Sequence, residues 1–310
     1  MKQFTSESLL EITNYLENYL KENTKVEFEV LNPDYSNTAY AGSIFDIENV
    51  SYVYRGYKAW IDLAQLLFSK MLTPKIASKN TIYLCFEKLD LNQSFHKSAS
   101  SEEKYGLNSE FFNINKNEEP SFLLPYKKAL ENVKIKNRKQ ILDLGINTGD
   151  EFSLIKDILD KKIYKKMNFI GIDYCASAIN FAKERFKEKN ISFFQHDINT
   201  LDELKLKESD LIISIGTFQS PNIDFKKLFM SLIQNYLTKD GALILGFPNS
   251  RWMGGEMVYG AKVLNYEMSE LSLLYKDVVY CKKYLQQKKF RVTITGKDYI
   301  FLTATKIGSL

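Results

Sequence analysis

In the run Ile141-Leu142-Asp143-Leu144-Gly145-Ile146-Asn147-Thr148-Gly149-Asp150, an apolar strand gives way to a glycine-bearing turn and then to a helix. Glycine lets backbone approach a ligand closely, and a helix that starts near Asp150 presents N–H groups with no partner in its own first turn. A second apolar strand closes on Gly171-Ile172-Asp173. A carboxylate at that place accepts hydrogen bonds from both hydroxyls of a ribose, and its separation from Gly149 suits one βαβ unit. A third strand closes on His196-Asp197-Ile198. A dinucleotide site asks for G-x-G-x-x-G, but Asp150 stands where the last glycine belongs, and its bulk and charge oppose a pyrophosphate there.

The elements that position these residues follow from the hydrophobic pattern. From about residue 120 a helix (120–132) leads into an alternation of apolar strands and amphipathic helices, which predicts an α/β, doubly wound, seven-stranded and mostly parallel sheet. Its strands are expected at 140–144, 168–173, 191–196, 210–215, 242–247, 290–295 and 299–305. The Gly296-Lys297-Asp298 link between the last two argues a hairpin, so the seventh strand runs antiparallel to its neighbours. Residues 1–118 read as a smaller N-terminal α+β domain with a polar linker, and 119–310 as the main domain. In the smaller domain Ser8 and Glu11 are placed for a capping box, residues 25–31 alternate as a strand, a helix spans 57–72 until Pro74 stops it, and 81–89 form another strand. The polar stretch 92–117 is expected to be a linker or a mobile flap.

The strand ending Asp143-x-Gly145-x-Asn147-x-Gly149 resembles the first motif of class I S-adenosylmethionine-dependent methyltransferases, with Asn147 in place of a glycine. Asn is among the residues that tolerate positive φ. The resemblance covers residues 120–310 and implies a Rossmann-like methyltransferase that uses S-adenosyl-L-methionine. It implies cofactor contacts from Asp143, Gly145, Asn147, Gly149, Asp173, Tyr174 and Ile215. It also implies Asp197 on the adenine amino group and the Ile198 N–H on the ring.

The acceptor is less legible. At the fourth strand's end, Ser214 to Pro221, the [DN]-P-P-[FYW] tetrad of base-amino methyltransferases is absent, and no Pro-Cys or C-x-x-C pair supplies a nucleophilic thiol. The insertion 248–260 mixes glycines, aromatics and charges after a strand's carboxyl end, and reads as an acceptor lid. Direct displacement needs the acceptor placed in line with the methyl carbon. Where a proton must leave, the candidate catalytic bases are Glu256, Tyr259 and His196.

Composition narrows the classes. With 45% hydrophobic and 26% charged residues in 310, the chain buries a full core, which excludes disorder. Cys85, Cys175 and Cys281 form no spaced pair, which argues against a zinc site and for a reducing compartment. Without a membrane-spanning run or a signal-like N-terminus, the expected location is cytoplasmic, with no membrane partner. Residues 1–120 carry 12 basic and 17 acidic groups, and 121–310 carry 30 and 21, so the net +4 divides into −5 and +9. Only five of the 42 basic residues are arginine, the residue that bidentate phosphate and base contacts favour. The balance favours a small-molecule acceptor over RNA or protein, while a non-catalytic module of the same fold is the rival class.

Overall fold

The computed structural model describes residues 1–90, 109–260 and 270–308. The chain divides into two units, Met1–Gln93 with Trp252–Val258, and Ser94–Arg251 with Tyr259–Leu310. The 92–117 flap expectation falls largely outside the described residues.

The first unit is built from β1 (Lys2–Gln3), α1 (Leu9–Glu22), β2 (Lys25–Leu31), β3 (Ile44–Ile47), β4 (Val50–Val53), α2 (Tyr57–Leu66), β5 (Ser69–Met71), β6 (Lys75–Ile76) and β7 (Thr81–Lys88). Its main sheet runs β1-β2-β7-β5, with β6 also on β7. The Ser8 side chain accepts from the Glu11 N–H while the Glu11 carboxylate accepts from the Ser8 N–H, so the capping box that opens α1 is present. Ile12, Leu16 and Leu20 of α1 and Trp60, Leu63 and Ala64 of α2 cover Phe28, Leu84 and Phe86 of the sheet. The helix expected through residue 72 ends at Leu66. Phe68 takes φ +50°, and Ser69–Met71 pair instead with β7. Apolar spacing alone did not separate that short edge strand from one more helical turn.

The second unit begins, after single turns at Glu110–Asn113 and Lys116–Glu118, with α3 (Pro120–Asn132). Then follow β8 (Gln140–Leu144), α4 (Asp150–Ile158), α5 (Lys161–Tyr164), β9 (Asn168–Asp173), α6 (Ala176–Arg185), β10 (Ile191–Gln195), β11 (Ser209–Ile215), α7 (Phe225–Ser231) and β12 (Leu237–Pro248). After β13 (Ser250–Met253) and β14 (Glu256–Tyr259), whose residues Trp252–Val258 belong to the first unit, come α8 (Ser272–Gln287), β15 (Phe290–Gly296) and β16 (Tyr299–Lys306). The seven-stranded sheet has the order β10-β9-β8-β11-β12-β16-β15. Its first five strands are parallel, and β16 is antiparallel to both β12 and β15. Leu142, Leu144, Ile212, Leu243 and Leu245 face Phe229, Leu232, Val278 and Leu285 on one side. By strand alternation Ile141 and Asp143 face the other side, which α3 covers with Phe122 and Tyr126 on Phe301, and α4 with Phe152 on Phe169.

In the insertion after β12, β13 and β14 form a two-stranded hairpin turned by Gly254 (φ +56°) and Gly255 (φ +81°). Two positive-φ residues make the tight turn whose twist matches the strands. Met253 and Val258 of the hairpin are buried with Leu89 in the first unit. Among the described residues no helix is long and apolar enough to cross a membrane.

Candidate functional site

The carboxyl ends of β8, β9, β10 and β11 bring the sequence-singled residues of the second unit to one edge of the sheet, the place where open α/β sheets bind ligands. The turn after β8 is held down by Gly145 and Ile146, whose N–H groups donate to the Ile172 carbonyl at 2.8 and 3.2 Å. Gly145 takes φ +77°, and a Cβ added there would collide with Thr217 Oγ1, so the glycine answers both backbone and space. Thr217, just beyond β11, donates its hydroxyl to the Leu144 carbonyl at 3.0 Å and so buttresses the turn from the neighbouring strand. Asn147 sits at φ +48°, in the left-handed region that its side-chain type tolerates. Gly149, at φ +89°, caps α4 without a side-chain bond.

Asp173 is the hinge of the arrangement. Its Oδ2 accepts the Asn147 N–H and its Oδ1 the Cys175 N–H, both at 2.9 Å. Each oxygen of a carboxylate keeps a second acceptor position, so two further donors are accommodated. Burial raises its pKa, against the lowering effect of the N–H groups of Cys175, Asn147 and Tyr174 and of the Lys116 charge. Tyr174 is 54% exposed beside it and presents an aromatic face. Asp197 is exposed and accepts from the Asn199 N–H and side chain, both at 2.9 Å. Ile198, buried, is the first residue of the turn that Asp197 caps. Asn199 in turn donates to the Asn222 carbonyl at 3.1 Å, tying this edge to the loop after β11. Ile215 is buried at the end of β11, against Gly246.

Asp143 has a different setting. It is 1% exposed, on the α3/α4 side of β8, and its Oδ2 has no hydrogen-bond partner among the described residues. Lys116 reaches the same buried region and pairs with Glu151, 2% exposed in the first turn of α4, at 3.2 Å. Burial, then the Glu151 charge, holds the Asp143 carboxyl well above the usual carboxylate range. Asn117 donates to the Asp150 carbonyl at 3.0 Å, and Arg185 pairs with Asp150 at 2.6 Å. Lys116, Asn117, Glu151 and Thr217 were not singled out from the sequence. Lys116 lies in a polar run without periodicity, and Glu151 has the pattern of an ordinary helix-start acid.

Each candidate base has its own local setting. His196 Nε2 lies 2.8 Å from the Thr200 carbonyl, a group that only accepts, so Nε2 carries the proton and is spent on that bond. Glu256 and Tyr259 are both on β14, three residues apart, and an extended strand sends such side chains to opposite faces. Glu256 is exposed, and Lys297 stands over the Tyr259 ring at 5.6 Å.

A family model described as a methyltransferase domain matches residues 135–296, more than half of the chain. The malonyl-[acyl-carrier protein] O-methyltransferase of Acetivibrio thermocellus is 33% identical over 139 residues, covering 44% of this chain and 44% of that protein. Its counterpart from Bacillus anthracis is 35% identical over 106 residues, 34% of this chain and 36% of the relative. The chain thus spans less than half the length of the curated relatives it matches. Among solved structures, the plantazolicin methyltransferase BpumL with a pentazolic analogue and SAH aligns with a TM-score of 0.47 and 14% identity, covering 63% of this chain and 89% of that one. The methyltransferase domain of bacterial CtHen1 aligns with a TM-score of 0.44 and 17% identity, covering 58% and 97%.

Proposed function

Because the chain belongs to the S-adenosylmethionine-dependent methyltransferases, we propose that it moves the methyl group of that cofactor to a small-molecule acceptor by direct displacement. The observation that carries the cofactor site is Asp173. Its two oxygens are already oriented by the Asn147 and Cys175 N–H groups, and each keeps an acceptor position for a ribose hydroxyl. The residues fit the group in other respects. Gly145 and Gly149 take the positive φ that the turn requires, Tyr174 is exposed and can offer a ring face to adenine, and Asp197 with the Ile198 N–H can serve the adenine edge. When bound, the cofactor supplies a methyl group on a sulfonium, an electrophile that an acceptor attacks without a covalent protein intermediate. The protein's part is to fix that acceptor in line, which contributes most when the attacking atom needs no reorganisation.

Two features support a small acceptor: the absence of a base-amino tetrad after β11 and the scarcity of arginine. The names of the relatives favour oxygen as the attacking atom, and a carboxyl group borne by a carrier is the second reading. A carboxylate is ionised at neutral pH and needs no base, which suits an edge where the His196 Nε2 proton is already bonded to Thr200. The test is transfer of a labelled methyl group into separated pools of metabolites, carrier-linked acids, RNA and protein. Label in the metabolite pool is expected, label in carrier-linked acids selects the second reading, and label confined to RNA or bulk protein overturns both.

A further inference from the structure

The 145–149 turn is bracketed by two buried carboxylates, Asp143 two residues before it and Glu151 two residues after it. We propose that this pair makes the cofactor site a sensor of ligand charge: the sulfonium form enters with release of a proton, and the uncharged thioether product releases fewer. The inference rests on the reading of the turn as the cofactor site.

The balance of charges carries it. Glu151 faces Lys116 at 3.2 Å, and both are enclosed, so that ammonium is committed to Glu151. Asp143 meets Glu151 from α4, Lys116 from the turn before α3, Asp173 from the end of β9, and the Tyr126 hydroxyl from α3. Asp143 Oδ2 and the Tyr126 hydroxyl are both buried without a hydrogen-bond partner among the described residues. Tyr299, from β16, faces Lys116 and Glu151 and adds no charge at neutral pH. Asp150 is occupied by Arg185 at 2.6 Å. Asp143, Glu151 and Asp173 therefore share one ammonium, and their full ionisation would leave two buried negative charges uncompensated. A buried carboxylate in that position keeps its proton instead. Burial does raise all three carboxyl groups, Asp143 furthest above its ordinary range.

A cation bound on the turn changes this balance, because a nearby positive charge favours the ionised acid. The amino and carboxylate groups of the cofactor are common to substrate and product, so they cancel in the comparison. What differs is the sulfur, charged before transfer and neutral after it. The acid gives up its proton to solvent when the sulfonium binds and recovers one when the thioether remains. Preference for substrate over product accordingly rises with pH, by up to about tenfold per pH unit for each proton of difference.

Calorimetry of the full chain with S-adenosylmethionine and, separately, S-adenosylhomocysteine tests this. Titrations in phosphate and in Tris, whose ionisation heats differ, count the protons released between pH 6.5 and 8. More protons released with the sulfonium ligand are expected, and Asp143→Asn, at whatever affinity it retains, should abolish the difference. If that variant does not fold, Lys116→Met serves in its place: removal of the ammonium leaves a larger share of protonated acid and should enlarge the difference. Equal proton counts for the two ligands, in a protein that binds both, overturn the charge linkage and leave the cofactor site standing. Binding of neither ligand overturns the site itself.

Discussion

Asp173 serves two purposes with one carboxylate, and its replacement should expose both. Asp173→Ala removes the acceptors for the ribose hydroxyls and the carboxylate to which the Asn147 and Cys175 N–H groups donate. Hydrogen bonds to a charged group contribute about 1.5–3 kcal/mol each. Each such bond lost lowers affinity roughly 10- to 100-fold, so calorimetry with S-adenosylhomocysteine should show a fall of at least that size, and unchanged affinity in a folded variant defeats the assignment. Gly145→Ala is a harsher change, because the residue is at φ +77° and the new methyl meets Thr217. It should cost about 1–3 kcal/mol of stability, read as a lower melting temperature. Gly145→Ala with Thr217→Ser should recover part of that loss, since the Thr217 methyl also lies in the way. Asp143 works in the opposite sense. Its folded-state pKa is raised, chiefly by burial. The protonated form is thus favoured by folding, and the group's penalty grows as pH climbs from about 4, the ordinary aspartate value, toward the raised one. Asp143→Asn should leave the ligand-free protein as stable as wild type at low pH and more stable near neutrality. A thermal-melt series against pH checks this, and a neutral-pH loss of stability counts against it.

At the scale of elements, legibility followed the physics of each segment. The parallel strands were readable because strands covered on both faces are nearly continuous apolar runs, as in Ile141–Leu144 around Asp143 and 211–215. The turn was readable because glycine at 145 and 149 marks positive φ, which both residues adopt. The β13–β14 hairpin carries its own mark, Gly254-Gly255 between short polar–apolar runs, inside the insertion that reads as an acceptor lid. The β3–β4 hairpin left no such mark, since Glu48 and Asn49 turn it at φ +51° and +68° without glycine. Lys116 is a partner made by tertiary folding: it lies 35 residues from Glu151 and in no periodic segment, so nothing local identifies it. The start of α1 gives a clean test of an element that was legible. Ser8→Ala removes the cap on the Glu11 N–H and should lower stability by about 1 kcal/mol, in denaturant unfolding, without altering cofactor affinity.

For the whole molecule, the consequence of greatest reach is that the two units do not follow the order of the chain. The second unit contains the turn, Asp173, Lys116 and Glu151, whereas residues Trp252–Val258, between β12 and α8, belong to the first. Met253 and Val258 are buried there against Leu89, with Phe68 packed alongside. Removing the first 108 residues would take away Leu89 and Phe68 but none of the residues that shape the turn. A fragment of residues 109–310 should bind S-adenosylhomocysteine with an affinity within a factor of about three of the full chain, less than ~0.7 kcal/mol. Its hairpin, left with two uncovered apolar side chains and only two short strands, lacks what an isolated hairpin needs for stability in water. Hydrogen exchange separates the two effects. Amides of residues 250–259 should lose protection in the fragment, and those of 144–151 should gain it when ligand is added. The point substitution Leu89→Ala in the full chain should reproduce the first change in milder form, at about 2–4 kcal/mol for a buried leucine. A fragment that no longer binds the ligand, with its sheet intact by circular dichroism, would mean that the first unit is required for the cofactor site and that the two units do not divide the labour in this way.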